Sequence, residues 1–157
     1  MIALRPRTIL AVVASAVLLG TLTGCNNGSP ANPLGLAGCL TGNTGTMTIG
    51  VANTTGSPLA VDAVELASSR GVEIVDRFIV IDEDARSTAV RFGVGGRDEV
   101  GGVDLNELAI DPDAAAFVGV EVVRTGADEG RVDGLVITVD GTDQAVPVTL
   151  DLRDTCD

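Results

Sequence analysis

The chain has 157 residues, a formal net charge of -12, three Cys and no His, Trp or Tyr, and its ten basic residues are all Arg. Without His there is no Ser-His-Asp triad, Cys-His pair or imidazole metal ligand, and without Lys no P-loop lysine, Schiff base or Ser-x-x-Lys acylation site. At 45% hydrophobic and 20% charged residues the chain is expected to fold, and its length suits one domain of ordinary size.

Arg5 and Arg7 form a short positive segment, followed by an uncharged apolar run from Ile9 to Leu19 that breaks at Gly20-Thr21. That run has the length of a signal-peptide core and is shorter than the ~20 apolar residues a membrane-spanning helix needs. It leads into Leu22-Thr23-Gly24-Cys25. This tetrapeptide resembles the lipobox of bacterial lipoproteins, the site read by signal peptidase II. The resemblance implies that residues 1–24 are a signal peptide cleaved between Gly24 and Cys25. It further implies that Cys25 carries a diacylglyceryl thioether and that its new amine can be acylated, for example with palmitate. Several acyl chains hold a protein to a bilayer where a single one binds only reversibly. The expected location is therefore the extracytoplasmic side of a bacterial membrane, with the acylated Cys25 as the membrane contact. Arg5-Pro6-Arg7 is not a twin-arginine pair, which favours the general secretory route.

Removal of the leader takes away two Arg and no acid, leaving 8 Arg against 22 acids and a formal charge of -14. Such a surface repels nucleic acid phosphates, so no nucleic acid partner is expected. Residues 25–38, rich in Gly, Pro and Asn and without periodicity, read as a lipidated flexible tether. Residues 39–157 remain as the domain. With Cys25 lipidated, Cys39 and Cys156 form an even pair in an oxidising compartment, which argues for one disulfide. A redox pair would be expected closer in sequence, as C-x-x-C.

Between these cysteines the apolar residues recur with period two. Met47, Ile49 and Val51 mark a first strand, ended by the turn Asn53-Thr54-Thr55-Gly56-Ser57-Pro58. Leu59–Ala67 is a second, whose apolar set changes phase between Val61 and Val64 as at a bulge. Val72–Ile81 is a third, apolar on both faces in its middle, and Asp82-Glu83-Asp84 ends it. Val90, Phe92 and Val94 mark a fourth, Val118 to Val122 a fifth, Leu135 to Val139 a sixth, and Val146 to Leu152 a seventh. About seven short strands predict an all-β chain that resembles an immunoglobulin-like sandwich in architecture, without its core Trp. Residues 104–111 are expected to form either a short helix capped by Asp104 and Glu107 or an extra strand.

Few motifs carry chemistry. Gly93-Val94-Gly95-Gly96-Arg97 invites a phosphate-loop reading, but Asp98 stands where the third Gly belongs and no helix is evident after it, so a turn is expected. Asp128, Glu129, Asp133, Asp140 and Asp143 are candidate oxygen ligands for Ca²⁺, against the plainer reading of charged turns. Phe78, Phe92 and Phe117 are too few for a sugar-stacking platform and read as core residues. Copper lacks ligands beyond Met47 and the paired Cys. Asn53-Thr54-Thr55 matches a glycosylation acceptor but reads as the turn. No catalytic residue, metal or other cofactor is expected. The leading reading is a non-catalytic envelope lipoprotein that docks another envelope or secreted protein through an exposed face or edge strand; the alternative is a Ca²⁺ or small-ligand module built on acidic loops.

Overall fold

A strand that alternates apolar and polar residues must bury one face, and the segments with that pattern do so against each other. The computed structural model describes residues 36–126 and 129–156. Its ten strands are β1 (Ala37–Thr41), β2 (Thr44–Ala52), β3 (Leu59–Leu66), β4 (Ser69–Arg70), β5 (Val72–Ile81), β6 (Val90–Gly93), β7 (Ala109–Ile110), β8 (Ala115–Arg124), β9 (Gly130–Val139) and β10 (Thr142–Arg153). One sheet runs β1-β10-β9-β3-β7, with β4 also on β9; the other runs β5-β8-β2-β6. Met47, Ile49, Val118, Val120 and Ile79 of the second sheet meet Val64, Leu135, Ile137, Val148 and Leu150 of the first in one apolar layer.

The strand order agrees with the immunoglobulin-like expectation. Strands β5-β8-β2 lie side by side as D, E and B do in a constant-type domain, and β3-β9-β10 as C, F and G. Two features depart from that plan. Strand β6 takes the position beside β2 that a first strand would hold, while β1 instead pairs in parallel with β10, from Ala37 against Thr149 to Thr41 against Arg153. Cys39 of β1 is bonded to Cys156 just beyond β10, with Cα atoms 5.8 Å apart. The disulfide expected from the cysteine count is therefore present, and it clasps the first strand to the chain's end.

The remaining differences have local causes. Strand β1 starts at Ala37, inside the stretch read as tether; it is held by pairing to β10 and not by its own composition. The phase change in β3 is a register shift between Val61 and Ala63. Over 104–111 both expected forms occur, a 3₁₀ turn at Leu105–Glu107 and then β7. The turn has no side-chain cap, because Asp104 turns to Arg97 instead. A single helical turn, α1 (Arg97–Val100), does follow the glycine-rich stretch, contrary to the expectation of none. Strands β9 and β10 are joined at Asp140-Gly141, both with positive φ (45° and 71°), the geometry of a two-residue hairpin that favours Gly.

Candidate functional site

The outer face of the second sheet is not open to solvent throughout. Met47 and Ile49 point into the core, so Thr46, Thr48 and Gly50 point outward, and register places their neighbours in rows. Gly50 lies beside Phe117, which lies beside Val80; Thr48 beside Gly119 and then Phe78; Thr46 beside Glu121 and then Asp76. On β6, Arg91 stands next to Thr48 and Gly93 next to Thr46.

Two segments cross this face, each seated on a glycine. The loop with the 3₁₀ turn Glu83–Arg86 lies on Gly50, whose missing side chain leaves room for the carbonyl oxygens of Ala85 and Thr88; Gly50 N donates to Ala89 O at 3.0 Å. Asp82 caps that turn by accepting from Asp84 N at 2.9 Å. The second segment, a flap from Val94 to Val103, is held by Phe78. Its ring is fully buried between Gly119 beneath and Gly102 above, and Ile79 and Val103 exchange backbone hydrogen bonds of 2.9 Å. Arg97 fastens the flap to β5. Its Nε donates to Asp76 Oδ2 at 2.9 Å, its Nη2 to Arg77 O at 2.8 Å, and it also pairs with Asp104. The hydrogen bonds that Arg97 donates to Asp76 and Asp104 raise its guanidinium above the ordinary pKa. Phe78 and Phe117 are thus buried as expected, but on the outer face and not in the layer between the sheets.

Between the two crossings lies a cavity of about 300 Å³. Thr46, Thr48, Val80 and Phe117 line it from the sheet; Gly95, Glu99 and Val100 from the flap; Asp82 and Arg91 from the rim. The Arg91 guanidinium sits 4.2 Å from the Phe117 ring centroid, a cation–π contact, and pairs with Asp84 at 3.3 Å and Asp82 at 3.9 Å. Thr46 is only 4% exposed, and its Oγ1 has no hydrogen-bond partner. A buried hydroxyl without a partner costs about 1–3 kcal/mol, and Thr149 Oγ1 in the other sheet is unpartnered in the same way. Around the cavity Val94 (66%) and Val100 (45%) are unusually exposed for large apolar residues.

The glycine-rich stretch does not cradle an anion. Glu99 lies against Gly95, and Glu121 Oε2 lies 2.6 Å from where a Gly96 side chain would begin, so carboxylates occupy the space a phosphate would need. None of Thr46, Thr48, Glu99 or Glu121 was marked by sequence. They come from three separated segments, and the one available signal is the outward alternation of Thr46 and Thr48 opposite a glycine-rich stretch long enough to fold back.

The acidic residues singled out for Ca²⁺ are not brought together. Asp133 accepts from Arg131 Nε at 2.9 Å, and Glu129 pairs with Arg70 and Arg153. Asp133 is the first cause of the raised Arg131 pKa. Asp140 and Asp143 lie at the other end of β9, about 23 Å from Asp133 at ~3.3 Å per residue. There Asp140 accepts from Ala60 N at 3.0 Å and Asp143 from the Thr138 hydroxyl at 2.8 Å. Asp128 lies outside the described residues, as do Gly24, Cys25, the leader and most of the tether. Among the described residues no cluster of three metal-binding side chains occurs, and no helix is long and apolar enough to cross a membrane. Asn53 is fully buried and donates its side-chain amide to Ser57 O and Ile110 O, both at 2.8 Å, which makes it the turn's anchor. Met47 is fully buried in the core.

Comparison with protein-family models, curated proteins and solved structures found no match to this chain. Fold and site together define an all-β sandwich with a clasped end and a covered outer face.

Proposed function

We propose that this chain is a lipid-anchored lipoprotein of a bacterial envelope whose sandwich binds another envelope or secreted protein and performs no chemistry. The lipobox-like Leu22-Thr23-Gly24-Cys25 supports the anchor. The cavity between β2, β8 and the flap carries the binding reading, because two exposed apolar residues of the flap, Val94 and Val100, stand at a recess in the sheet's outer face. Isolated surface valines are ordinary, whereas a recess with a rim of this kind marks an interaction surface. The Thr46 hydroxyl touches no base that would make it a nucleophile, which favours binding over acyl transfer.

Two experiments test the two halves. Full-length protein should partition into the detergent phase, and Cys25→Ala should abolish that partitioning; wild-type protein in the aqueous phase refutes the anchor. A photo-reactive residue at Val94 or Val100 should crosslink to one specific protein in the cells that make it, while the same group at Gln144 on the other sheet should not. An absence of adducts at both flap positions overturns the docking face.

A further inference from the structure

The two sheets end in four edge strands, and one of them is long. Strand β7 has two residues, β6 four and β1 five, whereas β5 has ten. The last four residues of β5, Phe78-Ile79-Val80-Ile81, are uncharged and all favour strands. A long apolar edge of this kind is a template for pairing with another chain unless something blocks it.

Backbone groups on β5 alternate between β8 and the free side. Asp82 N donates to Ala115 O of β8, and Ile79 exchanges its backbone bonds with Val103 of the flap, so Arg77, Ile79 and Ile81 turn their N–H and C=O groups to the edge. At Arg77 and Ile79 all of these groups are taken. Arg77 N donates to Asp76 Oδ1 at 2.8 Å, Arg77 O accepts from Arg97 Nη2 at 2.8 Å, and Ile79 N and O meet Val103 O and N at 2.9 Å. All but the first of these bonds come from the flap. Towards the start of β5 a register shift between Ile74 and Asp76 interrupts the strand and leaves Val75 exposed.

The flap itself is lightly held. None of residues 94–103 is buried, and glycines stand near both ends, Gly95-Gly96 and Gly101-Gly102. Besides the bridge between Ile79 and Val103, it is gripped by Arg97 on Asp76 and by the Phe78 ring against Gly102. Segments with few buried contacts open first and without the rest of the domain.

We propose that the flap is a removable cap on the β5 edge and that, once it lifts, two copies of the chain pair through β5 in antiparallel. The occupant is a second copy because the edge is complementary to itself. With Ile79 opposite its own counterpart, the two chains exchange the same backbone bonds that Val103 makes in the capped state. Phe78 then faces Val80 on the outer side of the sheet, and Arg77 faces Ile81 on the inner side. Such an isologous contact closes on a two-fold axis and joins the two sheets into one. Asp76 falls opposite Asp82, a like-charge pair that salt screens. This inference goes beyond the docking face proposed above and needs nothing bound in the recess.

Analytical ultracentrifugation of full-length protein in density-matched detergent, at about 0.5 M salt, reads the association. The parent should stay monomeric up to about 100 µM, while Arg97→Ala should associate at least about tenfold more tightly, with hydrogen exchange rising at Val103. Gly102→Ala lifts the flap by another route, since its Cβ would stand 2.6 Å from Phe78 Cδ2, and should give the same dimer. Ile81 is 44% exposed, so Ile81→Lys is tolerated by the fold. Added to Arg97→Ala, it sets a positive charge against Arg77 of the second copy and should restore the monomer while exchange at Val103 stays raised; association through unfolded chains would not respond in this way. A parent that dimerises with its flap closed overturns the inference, and so do open-flap variants that remain monomeric. A dimer that Ile81→Lys leaves intact places the contact elsewhere and overturns it too. If neither variant raises exchange at Val103, the flap is not removable and the inference falls.

Discussion

Replacing Gly119 by Ala tests whether the flap is seated as described. A Cβ at this position would stand 2.5 Å from Phe78 Cε1, with Cζ and Cε2 nearer still. Carbon atoms settle at about 3.5 Å or beyond, so the ring has to retreat by roughly 1 Å. It cannot retreat outward, because on that side its Cδ2 lies 2.6 Å from where a Gly102 side chain would begin. Overpacking of a closed site costs typically ~1–3 kcal/mol, and with both faces blocked we expect about 3 kcal/mol. For about 120 ordered residues, at ~2.1 cal/mol/K of unfolding entropy each, that is a fall of about 12 °C in melting temperature. Calorimetry and urea titration measure it. Combining Gly119→Ala with Phe78→Leu should recover at least about 1 kcal/mol relative to the sum of the single changes, since the two positions share one space. A Gly119→Ala protein within about 0.5 kcal/mol of the parent, or a strictly additive pair, would refute this packing.

Three further outcomes follow from other parts of the molecule. Replacing Cys39 and Cys156 by Ser opens a loop of 117 residues; the chain-entropy relation gives about 4.9 kcal/mol as the largest expected loss, read from urea unfolding, and no loss at all would contradict the clasp. Gly141→Ala forces a left-handed conformation on Ala and should cost about 1–2 kcal/mol, whereas Asp140→Asn, favoured in the same turn, should stay within about 0.5 kcal/mol by thermal unfolding. Arg97→Ala should release the flap without unfolding the sandwich. Hydrogen exchange at the Gly102 and Val103 amides should rise about tenfold while that at Val118 and Val120 stays unchanged, and a uniform rise would show that the flap and sandwich open as one unit.

How much of this was legible in sequence depends on where each residue's partners lie. Strands β2, β3, β9 and β10 turn their large apolar residues to the layer between the sheets, and that alternation is plain in the chain. In β5 the middle is apolar on both faces, and the structure gives the reason: Ile79 faces the other sheet while Phe78 faces the flap. Strand β1 was hidden because Ala-Gly-Cys-Leu-Thr carries no strand signal of its own and depends on pairing with residues over a hundred positions away. Asp104 and Glu107 satisfy a capping pattern, yet Arg97 draws Asp104 away, a tertiary contact that no local pattern encodes. The cavity was least legible of all. Its hydroxyls, carboxylates and apolar floor are individually ordinary, and only the folding-back of a glycine-rich segment over β2 and β8 brings them together.

The clasp also has a mechanical meaning. Tension applied to the chain at Leu36 reaches the Cys39–Cys156 bond within three residues. Before that point the hydrogen bond from Thr149 N to Leu36 O and the pairing at Ala37 and Gly38 can peel away. Beyond it the load passes through a covalent bond to the end of β10, a twelve-residue strand with β9 along its other side. A pull from one end is thereby shared between the first and last strands, and the sandwich resists unravelling from either terminus.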